Sequence, residues 1–279
     1  MERLPHRIHI GIQKAGSTYL YNLLRSHPDI SLSSETEVDF YTKHFDRGEE
    51  WYSGTFRKDG ERIDTSPKTF MLGSVAAPRI ETLVPHAKCL LILRNPISYV
   101  SSHFHMHIQQ GFFKRHPEQY PDVSEHLMTF LERYPAYLDW AFFARTLKEH
   151  WLFRLSIDQF KIITFERFIQ ETESVMNEIL DFWDIPRHSL KANTLSQNRA
   201  LRYEWLHKVR TFVVRRESLK RALKDSRFFH SVMRRFLTVD TQPALSADDR
   251  IILASKLKDD VELLRTITGQ SFYEWEDFR

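Results

Sequence analysis

The chain has 279 residues, a net charge of +3 at neutral pH and a single cysteine. Its hydrophobic fraction of 42% and its 8 glycines exclude a collagenous, low-complexity or disordered chain. One cysteine excludes an intrachain disulfide, and no stretch reaches the roughly 18 apolar residues that a membrane span needs. The first seven residues lack the apolar region of a signal peptide. We therefore expect a soluble cytoplasmic protein.

Predicted strands and helices alternate along the chain. Alternating apolar residues predict a first strand at Ile8–Ile12, which a tight loop joins to a helix over 19–26. Further strands are predicted at 62–64, 88–93 and 160–164, and further helices at 69–83, from about 97, at 124–133, 136–153, 170–183 and 246–268. Fully apolar strands such as 88–93 are typical of buried parallel sheets. The pattern predicts an α/β fold with helical additions.

Residues 13–18, which we call the phosphate loop, join the first strand to the first helix. Gly16 leaves room for the backbone amides to turn inward, and Lys14 adds a full positive charge. The helix that follows directs its free N–H groups and the positive end of its dipole at the same point. This geometry suits a phosphate group. An ordinary strand-to-helix turn capped by Ser17 is the alternative.

The phosphate loop is not a Walker A loop, because the lysine precedes the glycine. The strand at 88–93 runs into Arg94, where a nucleotide triphosphatase needs an acidic metal ligand.

Two motifs resemble those of sulfotransferases that use 3′-phosphoadenosine 5′-phosphosulfate (PAPS). Lys14–Thr18 resembles the 5′-phosphosulfate loop of that family, and Arg94–Ser102 resembles its 3′-phosphate motif. Residues 27–30 and 35–41 are similar to the glycan branch, which includes the heparan sulfate 3-O-sulfotransferases, and residues 269–275 to bacterial members. The resemblance implies a three-layer, P-loop-like fold in a single domain covering residues 1–279. The core would cover about 7–185, and a nucleotide-closing loop with further helices about 186–279.

The resemblance also assigns roles to single residues. Lys14 would stabilise the leaving phosphate oxygen, and Glu37 would act as the general base. The remaining nucleotide contacts would be made by Ala15, Gly16, Ser17 and Thr18 at the 5′-phosphate and by Arg94, Ser102 and Arg199 at the 3′-phosphate. PAPS would be the sulfuryl donor, adenosine 3′,5′-bisphosphate the product, and no metal would take part.

The acceptor is less defined by the sequence. Asp39, Thr42 and Thr65 stand where the glycan enzymes have His, Asp and a substrate-binding Lys. A glycan, a glycolipid and a small alcohol all remain open. His103, His105 and His107 suggest a metal site, but only His103 and His107 share a helix face and a third ligand is not evident.

Cationic and aromatic residues point to the character of the acceptor. The loop over 103–122 carries two cations and five rings, namely Lys114, Arg115, Phe104, Phe112, Phe113, His116 and Tyr120. A long basic segment covers 202–235. We hypothesise a hydroxyl-bearing acceptor that is anionic, lipid-linked or both, and peripheral contact with an anionic inner membrane face.

Two other functions remain open. One is a P-loop small-molecule kinase. The other is a module that binds anionic surfaces or nucleic acid through residues 202–235. The simpler interpretation of these residues is amphipathic helices whose basic face is exposed to solvent. We do not expect a nucleic-acid partner.

Overall fold

The computed structural model describes residues 4–56, 59–188 and 245–279. Within them, five parallel strands form one sheet in the order β2-β3-β1-β4-β5. The strands are β1 (Arg7–Gly11), β2 (Ile30–Leu32), β3 (Glu61–Thr65), β4 (Lys88–Leu93) and β5 (Phe160–Thr164). The α/β prediction with a central parallel sheet is confirmed.

Helices surround this sheet. They are α1 (Ser17–Arg25), α2 (Gly48–Ser53), α3 (Gly73–Leu83), α4 (Pro96–Gln109), α5 (Phe112–Arg115), α6 (Leu127–Arg133), α7 (Phe143–Thr146), α8 (Phe165–Gln170), α9 (Thr172–Phe182) and α10 (Ala247–Thr268). The described residues belong to one compact unit. The single-domain prediction stays a prediction, because residues 189–244 lie outside the described ones. None of the described helices is both long and apolar enough to cross a membrane.

The sheet brings four loops to one edge. Every residue of β1 is buried, and β1 pairs with β3 on one side and β4 on the other. Because all strands are parallel, the segments that follow β1, β3, β4 and β5 leave the same edge. The direction of the strand order reverses between β1 and β4, and ligands of open α/β sheets bind outside that point. The phosphate loop follows β1, and Arg94 follows β4.

The structure differs from the sequence prediction at several elements. The sequence prediction missed β2, a strand of only three residues. The helix predicted from residue 69 begins at Gly73, because Ser66 and Phe70 donate their N–H groups to the His9 and Ile10 carbonyls of β1, at 3.1 and 2.7 Å.

The helix predicted over 136–153 is broken into three pieces. A 3₁₀ turn covers Pro135–Ala141, α7 follows, and a π turn covers Leu147–Trp151. Phe142 leaves the helical conformation with ψ of 78°. The carboxylate of Asp260 on α10 then accepts the N–H groups of Ala144 and Arg145 at 2.9 and 2.8 Å, which satisfies the start of α7 from outside.

Candidate functional site

The phosphate loop has an open helix N-terminus at its end. Lys14 and Gly16 adopt positive φ values of 62° and 85°. The first turn of α1 has no side-chain cap and no acidic residue. Ala15 is buried and Thr18 is exposed. Amides that no side chain caps, beside a lysine, fit a phosphate group.

Gly16 also lies against an aromatic ring that the sequence analysis did not single out. A Cβ atom placed on Gly16 would lie 2.9 Å from Cε2 of Phe165, the residue that follows β5. The guanidinium carbon of Arg94 lies 5.4 Å from the centre of the same ring, in a cation–π arrangement. Phe165 therefore supports both motifs.

The two predicted motifs meet directly. Arg94 donates from Nη1 to the backbone carbonyl of Lys14 at 3.1 Å. Ser102 is buried on α4, eight residues beyond Arg94. The candidate Arg199 lies outside the described residues. The arrangement brings a full cation from β4 to the loop that follows β1.

Asn95 caps α4 and is itself held from two directions. Its side-chain oxygen accepts the N–H groups of Ile97 and Ser98 at 3.0 and 3.1 Å. Its own N–H donates to Glu166 Oε1 at 3.0 Å, and its Nδ2 donates to Asp277 Oδ2 at 2.8 Å. The sequence analysis missed both carboxylates as part of the site.

Glu37 faces a lysine that the sequence analysis also missed. Lys68 Nζ lies 3.3 Å from Glu37 Oε2 and 3.4 Å from Asp39 Oδ2. Burial alone would lower the pKa of Lys68, but the charges of Asp39 and Glu37 outweigh it and raise that pKa above its usual value. Lys68 follows β3, three residues beyond Thr65, the position at which the resemblance to the glycan enzymes predicts a substrate-binding lysine.

The loop that carries Glu37 is fastened to the end of β3. Thr65 Oγ1 donates to the carbonyl of Thr36 at 2.9 Å, and the N–H of Asp39 donates to Ser66 Oγ at 3.0 Å. Ser66 and Tyr52 in turn donate their hydroxyls to the carboxylate of Asp64, at 2.6 and 2.5 Å. Burial raises the pKa of Asp64 to about 6, although these donors oppose the shift.

His103 and His107 share one tyrosine. The hydroxyl of Tyr137 lies 3.0 Å from Nδ1 of His103 and 3.1 Å from Nδ1 of His107. Burial lowers the pKa of His103 to about 3, with smaller contributions from the charges of His107 and Lys14. Burial and the charge of Arg115 lower the pKa of His107 to about 4. His103 is therefore a neutral group close enough to Lys14 to feel its charge, which the sequence analysis did not anticipate.

The histidine cluster offers no metal site in this part of the chain. His105 points away from the pair and contacts the carbonyl of Ser101 through Nδ1 at 2.7 Å. Across residues 4–56, 59–188 and 245–279, no group of three or more His, Cys, Asp or Glu is arranged to hold a metal ion.

Part of the aromatic loop belongs to the core. Phe104 and Phe113 are 0% and 3% exposed, and both pack against Phe130 with ring centres 4.9 and 5.0 Å apart. Of the five rings that the sequence analysis connected with the acceptor, these two are not available for contact with it, because their apolar surface is buried in the fold. Phe112 is partly exposed and stacks on His107 at 4.1 Å.

Comparison with known proteins identifies a family and individual relatives. Residues 4–235 match the family described as "Sulfotransferase domain". The human heparan sulfate glucosamine 3-O-sulfotransferase 3B1 is 26% identical over 196 residues, which cover 67% of this chain and 47% of that protein. The membrane-associated sulfotransferase kil1 of Dictyostelium discoideum is 31% identical over 131 residues, covering 45% of this chain and 27% of that protein. The chain spans about half the length of the first of these relatives and less of the second.

A solved structure has the same fold. The sulfotransferase from Alicyclobacillus acidocaldarius superposes with a TM-score of 0.64 at 20% identity, covering 98% of this chain and 99% of that one. A family match over residues 4–235, together with a phosphate loop joined to an arginine after the neighbouring strand, leads to one conclusion. The chain belongs to the sulfotransferase family.

Proposed function

We propose that the protein transfers a sulfuryl group from PAPS to a hydroxyl of a glycan-type acceptor. The observation that carries the proposal is the contact between Arg94 and the Lys14 carbonyl, beside an α1 N-terminus without a side-chain cap. A nucleotide with a phosphate at each of the 5′ and 3′ positions is the ligand that a loop amide cluster and a separate arginine suit together.

The donor side works by positioning and charge. PAPS supplies an activated sulfuryl group whose departure leaves negative charge on a phosphate oxygen. Lys14 and the amides of residues 15–18 stabilise that developing charge, while the hydroxyls of Ser17 and Thr18 add hydrogen bonds. Arg94 and Ser102 hold the 3′-phosphate, and Arg199 is proposed to join them.

Glu37 is the proposed base on the acceptor side. An acceptor hydroxyl has to lose its proton as the new S–O bond forms, and a carboxylate within hydrogen-bond reach can accept it. Lys68 keeps the Glu37 carboxylate in one place by an ion pair, and the hydrogen bonds from Thr65 and Ser66 hold the loop that carries it.

Relatives support the class of acceptor but not its identity. One relative is named for heparan sulfate, so a glycan hydroxyl is the acceptor we propose first. Asp39, Thr42 and Thr65 differ from the residues of the glycan enzymes, so we expect the preferred sulfation pattern of the glycan to differ, and not the class of acceptor. A cytoplasmic location, an anionic or lipid-linked acceptor and peripheral membrane contact remain proposals. Residues 202–235, on which the membrane contact would depend, lie outside the described ones.

The test of the donor is a binding preference. We expect calorimetry to show that adenosine 3′,5′-bisphosphate binds at least tenfold more tightly than AMP, because only the former has a phosphate for Arg94. Arg94→Ala should remove most of that preference. Arg25→Ala is the matched control, since Arg25 is exposed at the opposite end of α1. Equal affinity of the wild type for both nucleotides would refute the assignment of PAPS as the sulfuryl donor.

The test of the reaction is transfer itself. Incubation with PAPS and a heparan sulfate octasaccharide should release adenosine 3′,5′-bisphosphate and sulfated product without added metal. Transfer from ATP that depends on Mg²⁺, with none from PAPS, would favour the kinase alternative instead.

A further inference from the structure

Residues 272–279, which we call the closing segment, pack against the 3′-phosphate motif. Its core is formed by Phe272 and Trp275, whose buried rings stack 4.6 Å apart. The indole Nε1 of Trp275 donates to Glu166 Oε2 at 3.1 Å. Glu166 uses its other oxygen to accept the N–H of Asn95. One carboxylate therefore joins the closing segment to the residue after Arg94.

Asp277 makes a second connection to the same residue. Its carboxylate accepts Nδ2 of Asn95 at 2.8 Å, and Nε and Nη2 of Arg250 at 2.8 and 2.5 Å. The Asp277 side chain is only 12% exposed. A bidentate pair between an arginine and a largely buried carboxylate has a fixed geometry, so the side chain of Asp277 has little freedom to move.

Asn95 has all its polar groups engaged in this arrangement. Its N–H is held by Glu166, its Nδ2 by Asp277, its Oδ1 caps α4, and its carbonyl accepts the N–H of Tyr99 at 2.8 Å. The backbone that carries Arg94 is thereby fixed immediately on its C-terminal side. Burial raises the pKa of Glu166, and the Asn95 and Trp275 donors oppose that shift.

We infer that Asp277 and Trp275 are positioning residues for the 3′-phosphate site: Asp277 holds Asn95 directly, Trp275 holds it through Glu166, and Asn95 fixes the backbone that directs Arg94. This inference rests on the proposed function, because it presumes that Arg94 binds the 3′-phosphate. It adds residues about 180 positions away in sequence to the nucleotide site. A role confined to folding would lower stability but would leave the choice between nucleotides unchanged.

The experiment measures the ratio of affinities for adenosine 3′,5′-bisphosphate and AMP by calorimetry on the full chain. Asp277→Ala should lower that ratio about tenfold with AMP affinity changed less than twofold, because a misplaced arginine loses a charge-assisted hydrogen bond to one phosphate only. Asp260→Ala is the matched control. Asp260 is a buried aspartate that also accepts two N–H donors, but those belong to α7. It should lower the melting temperature and keep the wild-type ratio.

Trp275→Phe provides a second variant if Asp277→Ala does not fold, since it removes only the indole donor and part of the ring. It should lower the ratio in the same direction. A wild-type ratio in both Asp277→Ala and Trp275→Phe, or an equal fall in Asp260→Ala, overturns the inference while the proposed function stands. A wild-type protein that does not distinguish the two nucleotides overturns the proposed function and the inference together.

Discussion

Gly16→Ala tests whether the phosphate loop is built against Phe165. Gly16 has φ of 85°, a left-handed conformation in which an L residue costs about 1–2 kcal/mol. The new methyl would also lie 2.9 and 3.1 Å from two carbons of Phe165, so the ring has to move. Overpacking of this kind costs about 1–3 kcal/mol. We expect a total loss of about 2–5 kcal/mol in the free energy of unfolding.

Gly269→Ala separates the two contributions. Gly269 ends α10 with φ of 67°, and a Cβ atom there would meet nothing within 4 Å. Its substitution therefore carries the conformational cost alone, about 1–2 kcal/mol. Urea unfolding of both variants gives the difference, which we assign to the contact with Phe165.

A second substitution and a binding measurement complete the test. Phe165→Leu in the Gly16→Ala background should recover part of the lost stability, because the smaller side chain can move away from the methyl group. Gly16→Ala should also weaken adenosine 3′,5′-bisphosphate binding, whereas Gly269→Ala should not. If the two alanine variants lose equal stability, the packing argument is refuted.

Four further predictions address the base, its lysine partner and two buried ionisable groups. Glu37→Gln should keep nucleotide affinity and slow transfer to a heparan sulfate octasaccharide at least a hundredfold; near-normal rates would mean that another base acts. Lys68→Met should slow transfer when it is introduced alone, but it should slow transfer no further in the Glu37→Gln variant, because Lys68 acts through the Glu37 carboxylate. Lys43→Met is the control and should not change the rate, since Lys43 is exposed on the loop that carries Glu37. Asp64 has its pKa raised from 3.8 to about 6, so its ionisation destabilises the fold progressively between these pH values and fully above them. Asp64→Asn should therefore gain up to about 3 kcal/mol over the wild type at pH 8 and nothing at pH 3.5, as measured by urea unfolding; an equal gain at both would contradict the assignment. His103 has its pKa lowered from 6.5 to about 3, so stability is lost as the pH falls below about 6.5. His103→Gln should reduce the fall in melting temperature that accompanies the fall in pH. An unchanged pH dependence of the melting temperature would contradict a buried neutral imidazole.

The central strands were predictable because their own residues determine them. The strand β4 was predicted at its observed bounds, since its apolar run is bounded by a lysine and an arginine. The prediction for β1 was one residue late at each end. In contrast, β2 has three residues and depends on pairing with β3, which a local pattern does not reveal. After the break in the predicted helix over 136–153, the start of α7 is capped by Asp260, a residue more than 100 positions away.

The site was predictable where it consists of local motifs. The phosphate loop and Arg94 each follow a recognisable strand, and their meeting follows from the pairing of β1 with β4. Lys68 was missed because its approach to Glu37 depends on how the chain turns after β3. Asp277 was missed for the same kind of reason, since only the folded chain brings it to Asn95.

The shared hydroxyl of Tyr137 couples the tautomers of the two neighbouring imidazoles. A hydroxyl has one hydrogen, so it can donate to Nδ1 of at most one ring, and any ring to which it does not donate has to give it an N–H from Nδ1. If His103 accepts, its hydrogen sits on Nε2; if it donates, Nε2 has a free lone pair. Rotation of one hydroxyl, with proton relocation on both rings, would exchange these states without changing the net charge. Tyr137→Phe would remove this coupling and let each ring choose its tautomer independently.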